Sequence, residues 1–386
     1  ENSVAVGINA GNASQGTGSV AIGQGAALTS QGNYSVACGY IAGQTSQGTN
    51  ATAIGNQAGV TNQGDNAAAF GLLAGNDTQG ASSVAVGQSA AQTSQGASCV
   101  AIGSSAGATS QGGSSVAVGN GAGTTTQGIN SVAVGISAGA TTQGASAVSV
   151  GQSAGQTTQG LQSVAIGYAA GQTTQSASSV AVGSAAGNNV QGTSSVAVGA
   201  AAGQTAQGIN NVAVGFAAAQ TSQGEGSVAV GLQAAQTSQG LYSVALGRGA
   251  ARTSQSNLAV SVGNFAGNNT QGTWAVSVGS SAGEISQGAS SVAIGHLAGQ
   301  TNQGANGIVI SSLGTAVDNT VAGHIVIRST GGNLTMDGAT GNWTSSGTTG
   351  NVSDIRLKEN INPITDALSK VNTLNGITFS YKENGT

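Results

Sequence analysis

From Ser3 to Asn306 the chain repeats every sixteen residues, nineteen times, without an insertion or a deletion. A fixed short period constrains the architecture before any other feature, because each unit must offer the same faces to its neighbours. The consensus is S-V-A-[VI]-G-x-x-A-[GA]-x-T-x-Q-G-x-x, and its positions are numbered 1 to 16 below. Three columns never vary in the nineteen units: Gly at position 5 (Gly7, Gly23, Gly39), Ala at position 8 (Ala10, Ala26, Ala42) and Gln at position 13. Gly at position 14 gives way only to Ser176 and Ser256, and position 11 is Thr in 14 units.

The run S-V-A-V alternates with period two, which makes it a short strand with the residues at positions 2 and 4 on one face. Recurrent Gly argues against helix, at about 1 kcal/mol each relative to Ala. Gly at position 5 ends the strand and allows a turn with positive φ. The A-G-x-T-x-Q half alternates again, and Q-G closes a second turn. The pattern predicts an all-β fold, a repetitive β-solenoid or β-roll of sixteen-residue coils stacked at ~4.8 Å, giving a rod of roughly 90 Å. The Val pair is read as facing the coil interior, and Cys38 with it, while Cys99 at position 1 leans outward. Ala at position 3 then faces outward, small and apolar, and is expected to pack against another chain. One coil offers little apolar area for sixteen ordered residues, so three parallel chains side by side are expected. Cys38 and Cys99 lie four coils apart, roughly 18 Å by the coil spacing, too far for a disulfide.

Stacking in register explains the Gln column. Gln15, Gln31, Gln47, Gln63, Gln79, Gln95, Gln111, Gln127, Gln143 and their successors through Gln303 each sit over a copy of themselves. An amide can donate to one neighbour and accept from the other, forming a ladder, whereas Glu would stack like charges. The same logic accounts for a span, residues 78–224, without Asp, Glu, Lys, Arg or His.

Composition narrows the class further. The chain has 67 Gly but one Pro, which excludes collagen. Charged residues make up 5% and the formal net charge is −4, against roughly a quarter charged in ordinary domains. With 38% apolar residues this is not charge-driven disorder. Seven Lys+Arg give no electrostatic footprint for nucleic acid. No run approaches ~18 apolar residues, so no membrane insertion is expected. The chain begins at Glu1 in repeat phase, without Met or a leader pattern, so further coils are expected before it.

The repeat weakens after residue 306. Ile308 and Ile310 keep the register of the Val pair, Ile325 and Ile327 follow seventeen residues later, and residues 329–352 read as short strands and turns. The expected organisation is a repeat shaft over 1–306, a β-rich neck over 307–352 and a separate segment over 353–386. That last segment carries eight of the chain's 18 charges. Asn362 and Pro363 read as the start of a helix. Ile364, Leu368, Val371 and Leu374 share one face, Asn375-Gly376 ends it, and Ile377–Tyr381 alternates as a strand.

Two resemblances attach to these motifs. The S-V-A-[VI]-G strand with its following A-G resembles the head repeats of trimeric autotransporter adhesins, which are left-handed parallel β-rolls of three chains. Their repeat is about two residues shorter, and the T-x-Q-G segment departs from it. Ser353-Asp-Ile-Arg-Leu-Lys-Glu-Asn-Ile361, followed by Leu374-Asn-Gly-Ile-Thr-Phe379, resembles the start of the intramolecular chaperone domain of phage tail spikes and fibres, the endosialidase type. That resemblance implies trimerisation, assisted folding of a β-fibre and a single self-cleavage before Ser353. Lys358 is the implied base for the Ser353 hydroxyl, and a Lys of depressed pKa suits that role. The family domain usually runs to about a hundred residues or more, and 34 are present here.

No Walker loop, paired carboxylates or Ser/His/Asp set appears, and no cofactor or metal is called for; His296 and His324 are isolated. Tyr40, Tyr168, Phe216 and Trp274 fall in variable turn columns and are candidate contacts for a host-surface glycan or protein. The reading is a homotrimeric fibre or spike on a virion, extracellular in action. Its alternatives are a ligand-binding solenoid such as an ice-binding protein, motivated by the Thr column, and a secreted bacterial adhesin.

Overall fold

The computed structural model describes residues 2–346 and 365–373. It is a parallel β-solenoid of about 20 turns, with one sixteen-residue coil per repeat. Each coil contributes positions 2–4 to one sheet, as in Val84–Val86, and in most coils positions 12–13 to a second, as in Ser94–Gln95. The first sheet has 23 strands among the described residues and the second 16. Every repeat strand pairs in parallel with its own copy: Val84 with Val100, Ala85 with Ala101, Gln95 with Gln111. The turns are laddered too. The Gly23 N–H donates to the Val6 carbonyl, and Ile41 to Gln24, so corner backbone groups also find partners one coil away.

The core differs from the sequence expectation in one decisive respect. Ala at position 3 is fully buried from Ala21 onward, whereas the residues at positions 2 and 4 point outward. The interior is built from position 3, Ala at position 8, Gln at position 13 and Ser at position 1. The expected inward Val pair and outward Ala are thus exchanged. The cause is space: each Gln side chain reaches across the coil, and the room left beside it suits a methyl group and nothing larger. A Cβ added to Gly59 would lie 3.0 Å from the Gln63 side chain and 3.2 Å from the Ala53 methyl. The cysteines are exchanged with their columns. Cys99 is buried, with Sγ 2.9 Å from the Gly112 carbonyl, and Cys38 lies on the partly exposed face.

The invariant Gly at position 5 has a steric cause. Gly151 has φ +125°, and a Cβ there would meet the Gly167 carbonyl oxygen at 2.6 Å. A left-handed residue also recurs where no Gly was needed, at positions 7 and 16. Examples are Ser137 (φ 53°), Phe265 (55°) and Trp274 (58°). Such a conformation costs non-Gly residues about 1–2 kcal/mol; here each one donates its N–H to the coil before, as Ser137 does to Asn120.

Parallel stacking continues past the repeats. Ile308–Ser311 pairs with Val292–Ile294, and Ile325–Ser329 pairs with Ile308–Ser311 across a spacing of seventeen. The core changes composition there in a compensating way. Val309 takes the place of Ala and Asn319 the place of Gln, both buried, so a larger apolar group accompanies a shorter amide. Gly332–Met336 and Trp343–Ser346 then add in antiparallel fashion. In the last segment a helix spans Ala367–Asn372, after Asp366 in a left-handed conformation (φ 57°). It therefore starts later than the Pro363 expected; Asn362, Pro363, Asn375, Gly376 and the expected strand Ile377–Tyr381 lie outside the described residues.

Gly151→Ala is expected to destabilise the rod by about 2 kcal/mol or more, through strain and the carbonyl clash. Gly314, with nothing within 4 Å of an added Cβ, tolerates Ala within about 0.5 kcal/mol. Thermal unfolding of both variants checks the contrast.

Candidate functional site

Three features of the rod are candidates for function: the buried Gln column, the outward apolar columns and the corner side chains. The Gln column does two things. All nineteen Gln Nε2 groups donate to the position-2 carbonyl of their own coil, from Gln15 to Val4 (2.8 Å) through Gln175 to Val164 (2.7 Å) and Gln303 to Val292 (2.8 Å). Each amide is therefore a strut tying the second half of a coil to its first. Twelve of them also donate to the Oε1 of the next copy, for example Gln159 to Gln175 at 3.2 Å and Gln175 to Gln191 at 3.1 Å. The ladder link is interrupted before Gln31, Gln47, Gln95, Gln127, Gln143 and Gln207, and the Oε1 atoms of those residues are left without a donor. The strut is constant and the ladder is not. Strut bonding requires a donor, which Glu lacks at neutral pH. Position 3 joins the column where it is Ser: the Ser149 hydroxyl donates to Gln159 Oε1 at 2.6 Å.

Positions 2 and 4 form two apolar columns along the outer face of the first sheet. Position 4 is exposed at Ile102 (41%), Ile166 (40%), Leu246 (45%), Val278 and Ile294 (39%), and half-buried at the other Val residues between Ile102 and Ile294. Ile310 and Ile327 continue the column past the repeats. Contiguous apolar surface beyond a few hundred Å² marks an interaction site. The sequence held a signal for this inversion. Position 3 is Ala or Ser in every unit, the mark of a confined site. Position 4 admits Val, Ile, Leu, Cys and Phe70, which only an open side accommodates.

Tyr40, Tyr168, Phe216 and Trp274 are all exposed at the corners, Tyr168 by 60% and Trp274 by 62%. The structure does not bring these four together; they lie on different coils. Tyr34, Tyr242 and Phe265, by contrast, each lie against a Gly of the preceding coil: Gly18, Gly226 and Gly249. Arg248 stacks over Phe265 at 4.7 Å and donates through Nε to Asn264 at 3.0 Å.

Ser353 and Lys358 lie outside the described residues. Among the described residues no group of three or more His, Cys, Asp or Glu is placed to hold a metal ion, and no helix is long and apolar enough to cross a membrane. An open depression of about 300 Å³ near the final hairpin is lined by Ile327, Ser329, Asn333, Leu334 and Ser345, with no titratable group. At the other end of that hairpin, His324 Nε2 lies 3.3 Å from Asp337. The Asp337 carboxyl is held below its ordinary value of 3.8, first by the Thr340 hydroxyl and then by the Ala339 N–H, both of which donate to it. This turn contact is present above pH 3.8 and weakens as pH falls.

Residues 353–386 match the family described as chaperone of endosialidase. No curated protein and no solved structure matches the chain. The match covers the charged C-terminal segment alone. Together with the β-solenoid it supports a tail-fibre-like protein whose folding is assisted from its C-terminus.

Gln175→Glu places a carboxyl among the Val164 and Ser179 carbonyls. Burial raises the pKa of that carboxyl, so the variant holds its stability at low pH and loses it as pH rises through the raised pKa. Unfolding free energies from denaturant titrations at pH 4 and pH 8 are expected to differ by about 2 kcal/mol or more, against a small difference in the parent.

Proposed function

We propose that this chain is the shaft of a homotrimeric fibre or spike on a virion surface, folded with the help of its C-terminal segment. The observation that carries the reading is the coincidence of two features in one chain. One is an uninterrupted rod with an apolar outer face; the other is a C-terminal match to an intramolecular chaperone family. The rod cannot leave that face in water without cost. Two half-exposed columns over some twenty coils amount to on the order of 1,000 Å² per chain, above the ~800 Å² per partner of a standard stable interface. A second copy of the same chain fits the face best, because it alone repeats with the same axial period along the whole length.

The mechanism is mechanical. Buried struts close each coil, backbone ladders lock the register, and the C-terminal segment aligns three chains before the long rod forms. That order addresses a kinetic difficulty: a chain of nineteen near-identical units has many equivalent mispairings, and register is weakly specified where repeats are alike. Self-cleavage before Ser353, with Lys358 as base, then separates the segment from the finished shaft. Exposed corner residues such as Tyr168 and Trp274 are available to meet a host-surface glycan or protein.

Two experiments test this. Light scattering on the purified chain is expected to give three chain masses, and Val134→Lys together with Ile166→Lys is expected to give one, with the circular dichroism of the rod retained. Expression of the full chain is expected to yield a product ending at Val352, and Ser353→Ala to remain uncleaved by intact-mass measurement. Normal cleavage in that variant removes the Ser353–Lys358 assignment.

A further inference from the structure

The first sheet's outer face is flanked by two corners. One precedes the strand (positions 15 and 16 of the coil before) and the other follows it (positions 6 and 7). Most residues at both corners are Ser, Ala, Asn, Gln or Gly, so the bulky ones stand out. Seven strands are preceded by a bulky apolar residue, and in six of the seven a bulky residue also follows the same strand. Among the other twelve strands only four carry one on the following corner. The matched pairs include Tyr34 with Tyr40 around Val36–Cys38 and Ile209 with Phe216 around Val212–Val214. Leu258 pairs likewise with Phe265 around Val260–Val262. Ile129 with Ile136, Leu161 with Tyr168, and Tyr242 with Arg248 complete the set. Trp274 is the exception, with Ser280 and Ser281 after its strand.

Two members of a pair cannot touch within one chain. They are six or seven residues apart along an extended strand, roughly 20 Å. Both are exposed in most pairs; Ile209 and Phe216 are 44% and 57% accessible. A single solenoid gives no reason for the two corners to match in height. A ring of parallel chains in register does, because the following corner of one chain then meets the preceding corner of the next at the same coil. The pair chemistry suits contact: aliphatic with aromatic in three pairs, aliphatic with aliphatic in one, Tyr with Tyr in one, and Tyr242 with Arg248, whose guanidinium already lies on an aromatic ring.

We infer that the shaft assembles as a closed ring of parallel, in-register copies. In it the corner after each strand packs against the corner before the same strand of the adjacent copy, and the paired bulky residues set the axial register. This rests on the trimeric reading and adds to it the seam between chains. A slip of one coil in either direction leaves three of the seven bulky preceding residues opposite a bulky following residue, against six of seven in register, so the aligned arrangement satisfies the most pairs.

Disulfide trapping tests the seam. In a background of Cys38→Val and Cys99→Ser, the double substitution Ile209→Cys with Phe216→Cys is oxidised and run on a non-reducing denaturing gel beside each single substitution. The expected result is a covalent trimer from the double variant and none from either single variant, since every ring contact joins position 209 of one chain to position 216 of the next. Covalent dimers from a single variant indicate a two-fold, like-to-like contact and overturn the inference. So does a double variant that is trimeric by light scattering yet not trapped, an outcome that leaves the fibre reading intact. A monomer by light scattering overturns both.

Discussion

The buried Gln strut is the constraint from which the rest of the shaft follows. It joins the two halves of every coil by a hydrogen bond from Nε2 to the position-2 carbonyl, and in doing so it occupies most of the interior. With the centre filled by a long amide, the opposite strand can present only a methyl or a hydroxymethyl group inward. The β-branched residues, which favour strands, are left on the outside. A rod of this design has a polar, hydrogen-bonded centre and an apolar flank. Its tight backbone approach, Gly over Gly at position 5, admits no side chain.

Such a core cannot be compared with an ordinary hydrophobic one. Ala buries little area, and an unpaired buried amide costs about 1–3 kcal/mol, so the struts must all be made at once. That favours a long, repetitive array in which each coil templates the next, with stability summed over nearest neighbours. It also moves the remaining driving force to the outer face, where two apolar columns run the length of the rod. In the trimeric fibre proposed above, the packing that makes the coil regular is also what leaves an apolar face for association. At the C-terminal end, where Asn319 replaces Gln, the core admits Val309, Val317 and Val326, which shows the interior width being set by the amide.

Much of this was legible in the repeat. The period, the coil architecture, the parallel register and the importance of the Gln column follow from nineteen units at one fixed spacing. The choice of face did not, because alternation in a strand states that two faces differ without stating which is inside. Hydrophobicity pointed to Val; uniformity of size pointed to Ala, and size was the better guide because a confined column tolerates no Phe70. The strut was likewise hidden. A Gln ladder can be argued from stacking alone, but a bond to the coil's own backbone depends on where the chain returns. The left-handed corners at Ser137 or Phe265 carry no Gly to announce them. Of the site residues, the corner aromatics were visible as departures from the consensus, and their pairing across a strand became meaningful once the strand's outer face was known.

The central claim is that the Gln column fills the coil, with Ala inside and the Val columns covered by neighbouring copies. A cryo-EM reconstruction of the assembled shaft at side-chain resolution tests it most directly. The account predicts three parallel chains about a common axis, an axial rise of ~4.8 Å per coil, amide density spanning each coil, and the residues of positions 2 and 4 at the contacts between chains. A map with those residues inside the coil, or with their face bare to solvent in the native assembly, would contradict it.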